Sequence, residues 1–266
     1  MACYVYGHLA QHFASAQADG RGKLHQMNKD LNRRLVKSLR DSPNILEVYS
    51  PPRVTKKAEK NGFTAGGALD LSTGWDFCKP SHEKAALRLV NELQPVLVVL
   101  SPPCTTFSAL RNLSNFKRDQ ATVAQEEAEG RLHVRFSVQL ARIQHRAGRG
   151  FLFEHPRNAT SWTTTELQQL RQEDGVHAVA VDLCRFGLKT SKGAPALKPT
   201  LLLTNIEELA TVLHRRCEGF HKSHQPLLAG EAALAAKYTP AFVDAILRGL
   251  RQHVQSWVKA HNSSSD

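Results

Sequence analysis

A thiol and a carboxyl group close two apolar runs of this chain. Ser101-Pro-Pro-Cys104-Thr-Thr-Phe-Ser108 follows Pro95-Val-Leu-Val-Val-Leu100, and Glu154-His155-Pro156 follows Phe151-Leu-Phe153. An ionised cysteine can attack an electrophilic carbon, and a carboxyl beside it can give or take a proton. Singly, each residue has a plainer reading, an inert buried thiol and a glutamate that caps a loop or pairs with Arg157. Together, each ending an apolar strand, they read as a reaction centre. The two prolines stiffen the cysteine's loop, because they fix φ and withhold amide donors. A third group is His214-Arg-Arg-Cys217-Glu-Gly-Phe-His221-Lys-Ser-His224. Cys217, His221 and His224 offer three zinc ligands, with His214 or Cys184 as the fourth. The spacing fits no standard finger, and a polar, basic patch is the competing reading.

Strand-like and helix-like segments alternate around these groups. Apolar runs at 44–50, 63–71, 95–100, 150–156, 176–183 and 200–205 read as strands. Between and after them, helices are predicted at 81–93, 120–147, 163–174 (with a Thr N-cap) and 235–254. In the 120–147 helix the apolar positions are Leu132, Phe136, Leu140 and Ile143. This alternation predicts an α/β fold with a doubly wound, mostly parallel sheet covered on both faces. In such sheets ligands bind beyond the carboxyl ends of the strands, where Glu47-Val-Tyr-Ser50, Ser101–Cys104 and Glu154–Pro156 all lie. Residues 22–40 form a basic amphipathic pattern with Leu24, Met27, Leu31, Leu35 and Leu39 at helical spacing. It reads as a docking helix with a solvated charged face, more than as a DNA-binding helix. The expected organisation is a basic helical extension over 1–42, one domain over 43–258 and a disordered tail over 259–266.

The string SPPCTTFS resembles the Pro-Cys motif of DNA (cytosine-5)-methyltransferases, in which Pro-Cys-Gln-x-Phe-Ser follows a strand. FLFEHP resembles their Glu-Asn-Val strand end, and AAKYTPAFVDAILRGL their closing Tyr-Pro helix. Together with ILEVYSPPRVT, LDLSTGWDF and KPTLLLTN, the pattern looks like a divergent module of this kind found in retroelement polyproteins. The resemblance implies a class I, Rossmann-like methyltransferase fold, S-adenosylmethionine as methyl donor, and DNA as partner, with RNA as the alternative. It implies Cys104 as nucleophile toward carbon 6 of cytosine and Glu154 as the group that protonates or hydrogen-bonds ring nitrogen 3, if burial raises its pKa. Donor contacts are expected from Glu47, Tyr49, Ser50, Asp70, Trp75, Asp76 and Ser101, with Asp70 on the ribose hydroxyls and Trp75-Asp76 at the adenine. Asp70 could equally make an Asx-turn, and Trp75 could be a core aromatic.

The chain departs from the family at several points. Its Phe-x-Gly-x-Gly loop is YSPPRVT here, its Gln after Pro-Cys is Thr105, and its Gln-x-Arg-x-Arg strand reduces to Lys198. Only about thirty residues separate Asn205 from Tyr238, too few for a target recognition domain. A formal net charge of +11 suits a polyanionic partner. Five widely spaced cysteines and no signal-like start suit reduced thiols in an intracellular protein, the nucleus being one fitting compartment. No run approaches a membrane span. Competing readings are a catalytically inactive nucleic-acid-binding module of a mobile element and an amino-methyltransferase using the Ser-Pro-Pro loop, whose usual fourth-position aromatic is a cysteine here. A Cys-His hydrolase using His155 lacks any accompanying oxyanion-hole pattern.

Overall fold

The structure, a computed structural model, describes residues 44–108, 111, 115–227, 231 and 235–262. The amphipathic pattern at 22–40 and Cys3 lie outside these residues. The strands are β1 (Asn44–Val48), β2 (Thr64–Leu69), β3 (Leu97–Leu100), β4 (Gly150–Pro156), β5 (His177–Asp182), β6 (Ala196–Leu197), β7 (Pro199–Thr204) and β8 (Gln225–Pro226). The helices are α1 (Thr55–Ala58), α2 (Pro80–Leu93), α3 (Gln120–Arg146), α4 (Thr165–Gln172), α5 (Glu207–Leu213) and α6 (Pro240–Asn262).

Six strands form one sheet in the order β2-β1-β3-β4-β7-β5. The pairs β1–β2, β1–β3 and β3–β4 are parallel, and β7 runs antiparallel to both β4 and β5. This is the doubly wound, mostly parallel α/β sheet of Rossmann-like type that the sequence predicts. Its order reverses between β1 and β3, so the crevice at a topological switch point opens beyond Val48 and Leu100.

Period-two alternation sends Leu46, Val48, Val98, Leu100, Phe151 and Phe153 to one face. There they pack with Val90 of α2, Phe136 and Leu140 of α3, and Leu167 and Leu170 of α4. Each large apolar side chain so buried contributes about 1.5–3 kcal/mol. On the other face Gly150 is obligatory, since a Cβ there would lie 2.3 Å from Ile206 Cδ1 and 2.8 Å from the Val96 carbonyl. Ile206 leads into α5, which packs against α6. A second, two-stranded sheet joins β6 to β8.

Three local expectations change. The final helix begins at Pro240, after Tyr238, and runs to Asn262, so 259–262 are helical where a tail was expected. Thr164 stands at the N-cap of α4, but its hydroxyl donates to the Ser161 carbonyl and caps nothing. On α3, Leu132 is exposed, and the buried face is led by Val134, Phe136, Val138 and Leu140. No helix among the described residues is long and apolar enough to cross a membrane.

Candidate active site

Two cavities meet the carboxyl edge of the sheet. The first, about 450 Å³, is lined by Cys104, Ser108, Asn158, Leu197, Lys198 and Leu227, among others. Cys104 reaches it because β3 ends at Leu100 and the Pro102-Pro103 segment carries the chain into a one-turn 3₁₀ helix, Thr105–Phe107. The Phe107 ring is buried and anchors this turn. Beneath it His155 is buried, with its Nδ1 2.6 Å from Ser161 Oγ and its ring edge-on to Phe107. Its Nε2 makes no hydrogen bond among the described residues. Burial lowers the His155 pKa to about 4, so the ring stays neutral under the loop. No histidine lines the Cys104 cavity among the described residues, which removes the support for a Cys-His hydrolase.

Glu154 points to the face opposite Phe153 and His155. It is 8% exposed, its Oε1 lies 3.6 Å from Lys198 Nζ, and that oxygen has no hydrogen-bond partner. Lys198 also donates to the Ala235 carbonyl at 3.0 Å. Burial raises the Cys104 thiol pKa, the Glu154 carboxylate raises it further, and Lys198 opposes the rise. The structure therefore brings Cys104, Glu154 and Lys198 into one electrostatic unit. A measurable consequence follows. Glu154→Gln removes the negative charge, so the pH midpoint for alkylation of Cys104 by iodoacetamide should fall relative to wild type, while Lys198→Ala should raise it. Unchanged midpoints in both variants would mean that the three groups do not interact.

The second cavity, about 330 Å³, lies at the switch point and is lined by Tyr49, Asp70, Trp75, Asp76, Ser101, Pro103, Glu129 and His133, among others. Tyr49 follows β1 with φ 62, a left-handed conformation at the place where the resembled family has its glycine loop. Its ring packs on Phe77, and its hydroxyl lies 3.2 Å from His133 Nδ1. Burial pushes the Tyr49 hydroxyl pKa well above its ordinary value. Asp70 sits at the end of β2, where its Oδ1 accepts from the Ser72 amide and hydroxyl in a cap of the following 3₁₀ turn. Trp75 stacks on Phe77 at 6.1 Å. Asp76 Oδ1 accepts from the Cys78 amide, and that bond, with Lys79 nearby, holds its carboxyl below the usual range despite some desolvation. Ser101 Oγ is 2.6 Å from the Tyr238 hydroxyl, which ties the β3 end to the segment before α6.

Two expected donor contacts are corrected. Glu47 is fully buried, and its Oε2 accepts from the Arg53 amide, the Thr55 amide and the Thr55 hydroxyl at 2.6–2.9 Å. Ser50, also fully buried, donates to Glu47 Oε1 or to the Pro51 carbonyl. Neither lines the cavity; together they staple the Pro51–Thr55 loop, which lacks glycine. The α3 residues His133, Glu129 and Gly130 and the neighbouring Cys78 join the wall without any signal at the motifs themselves. Gly130 gives the one clue. A Cβ there would lie 3.1 Å from the Phe107 ring, so a helix-weakening residue is what lets α3 approach the Cys104 turn.

No protein-family model matches this chain, and neither does any curated protein. Among solved structures, it is similar to an Entamoeba histolytica methyltransferase, EhMeth, at 10% identity and a TM-score of 0.33. That likeness covers 62% of this chain and 53% of the other, so it spans about half of that protein's length. A likeness so shallow says nothing of activity, which has to be argued from the side chains.

Proposed function

We propose that this protein is an S-adenosylmethionine-dependent methyltransferase that acts on carbon 5 of cytosine in DNA through Cys104. One observation carries the proposal. A half-buried thiol and a buried carboxylate with an oxygen free of hydrogen bonds, delivered by neighbouring parallel strands, share one electrostatic environment beside a ligand-sized cavity.

The chemistry asks for this pair. Cys104 loses its proton to solvent and its sulfur adds to carbon 6, while the electrons of the 5,6 double bond make carbon 5 nucleophilic. Glu154 shares a proton with ring nitrogen 3 and so stabilises the adduct. Lys198 opposes the negative charge that accumulates on the thiol and carboxyl. Carbon 5 then takes the methyl group of the sulfonium donor, whose sulfur leaves with the electron pair of the broken carbon–sulfur bond as a neutral thioether. Loss of the carbon 5 proton to solvent restores the 5,6 double bond as the sulfur–carbon 6 bond breaks, which regenerates the thiolate. The target base must leave the stack to reach such a cavity. Exposed Lys189, Lys192 and Lys222, on the segments next to β6 and β8, suit the phosphate backbone.

The second cavity suits the donor, a sulfonium that supplies the methyl group. In a protein of net charge +11, none of its lining residues is Lys or Arg, whereas Asp70, Asp76, Glu126 and Glu129 all line it. Glu126 is committed to Arg111 and Arg118. Asp76 also pairs with Lys79 at 3.4 Å and Glu129 Oε1 accepts from the Cys78 thiol at 3.3 Å, yet with Asp70 they keep this wall acidic toward a cation, with Trp75 and Tyr49 as flat apolar surfaces. A phosphate-bearing cofactor would meet repulsion there.

Incubating DNA with the protein and a methyl-deuterated donor, followed by mass spectrometry of the nucleosides, tests this reading. Labelled 5-methylcytosine is expected. Labelled N4-methylcytosine or N6-methyladenine, or no labelled nucleoside at all, would overturn it.

A further inference from the structure

We infer that Cys184, Cys217, His221 and His224 bind a zinc ion, which fixes the short lobe that walls the Cys104 cavity. The four residues come from two places in the chain. Cys184 lies in the 3₁₀ turn Leu183–Phe186 after β5, and the other three lie between α5 and β8. Their ligand atoms all fall within 4.8 Å of one another. Cys217 Sγ is 3.3 Å from both His221 Nδ1 and His224 Nε2, and His224 Nε2 is 3.3 Å from Cys184 Sγ. Zinc bonds of about 2.0–2.1 Å to nitrogen and about 2.3 Å to sulfur place neighbouring ligands of a tetrahedron about 3.3–3.8 Å apart. The three sulfur–nitrogen spacings of 3.3 Å fall at the short edge of that range. The fourth ligand is Cys184; His214, the other sequence candidate, is exposed and outside the cluster.

Hydrogen bonding alone explains the cluster poorly. One sulfur faces two ring nitrogens, and one of those nitrogens faces both sulfurs, so a single proton cannot serve every contact. The surroundings hold the ligands independently of any ion. Asp182 Oδ2 accepts from the Cys217 amide at 2.8 Å and from Arg216 Nε at 2.9 Å, and the Asp182 amide donates to the Arg215 carbonyl. Glu218 and Gly219 both take positive φ to return the chain from Cys217 toward His221. Beyond these bonds, the Arg185 guanidinium lies 3.9 Å over the Phe220 ring and Thr190 Oγ1 donates to Gln225 Oε1 at 3.0 Å. Phe220 is 65% exposed, and among the described residues of this lobe regular structure is limited to the two-residue pairing of β8 with β6.

That pairing gives the ion a consequence at the active cavity. Leu197 of β6, Pro226 of β8 and the adjoining Lys198 and Leu227 all line it. A zinc ion linking Cys184 to the 217–224 segment anchors this wall to β5, doing by cross-linking what thirty residues cannot do with an apolar core. The site itself does not depend on the proposed reaction.

The test uses the full chain without a histidine tag, grown with zinc and desalted. Elemental analysis should find one zinc per chain, and cobalt substitution should give the intense visible bands of a tetrahedral site with thiolate charge transfer. Cys217→Ser and His224→Gln should each lose the metal. As a readout that needs no variant, stripping the wild type with a chelator should speed tryptic cleavage at Arg215 or Lys222 by about tenfold or more, and zinc should restore protection. Folded wild-type protein without zinc, a cobalt spectrum without thiolate bands, a Cys184–Cys217 disulfide, or cleavage unchanged by chelation would overturn the inference.

Discussion

Cys104→Ser should lower methyl transfer to cytosine by at least about a thousandfold. Serine keeps the size and the loop geometry, but its hydroxyl does not ionise near neutral pH. The second cavity does not include Cys104, so donor affinity should stay within about twofold of wild type, the scale on which a remote side chain acts. Trp75→Ala is the complementary control. It removes a lining aromatic of the donor cavity and should weaken donor binding while leaving alkylation of Cys104 unchanged. Calorimetry and a tritium-transfer assay measure the two effects. Normal turnover in Cys104→Ser would remove the nucleophile assignment, whatever becomes of the donor site.

Glu154→Gln should slow transfer by about 10²–10⁴-fold, the usual contribution of a positioned acid. The amide keeps the shape and offers N–H donors, yet it cannot exchange a proton with ring nitrogen 3. The same substitution removes a charge that raises the Cys104 pKa, so the thiol should become easier to ionise. A variant whose thiol alkylates faster while its turnover collapses separates acid catalysis from thiol activation. If turnover instead rose with alkylation, Glu154 would act only as a brake on the thiol, and its role at the base would have to be abandoned.

Much of the sheet was legible because buried strands announce themselves as apolar runs. NILEV, LVVL and GFLFEHP each become a strand at about the expected bounds. Direction was not legible. PTLLLT is buried in the same way whether it runs with or against β4, and only the structure shows it antiparallel. The seven-residue α5 was too short for helical periodicity to stand out. Strand-end position anticipated that Cys104 and Glu154 would be neighbours, because β3 and β4 are adjacent and parallel. The same rule misread Glu47. An acidic residue near a strand end looks like a ligand contact, but here the absence of glycine in Ser50–Thr55 makes the loop depend on that carboxylate for its hydrogen bonds. His133 and Glu129 were invisible because they reach the cavity from α3, far along the chain, through the close approach that Gly130 permits. Cys184 stood as one of two candidates for the fourth ligand until the turn after β5 put it beside Cys217.

The proposed reaction runs through a covalent bond between Cys104 and the base, which a mechanism-based trap can capture. Duplex DNA containing 5-fluorocytosine blocks loss of the carbon 5 substituent, so the sulfur–carbon 6 bond should persist after methylation. With donor present, the expected result is a denaturation-resistant protein–DNA adduct whose peptide map places the nucleotide on Cys104. Methylated product from ordinary DNA with no adduct on the fluorinated substrate, or an adduct on another cysteine, would contradict it.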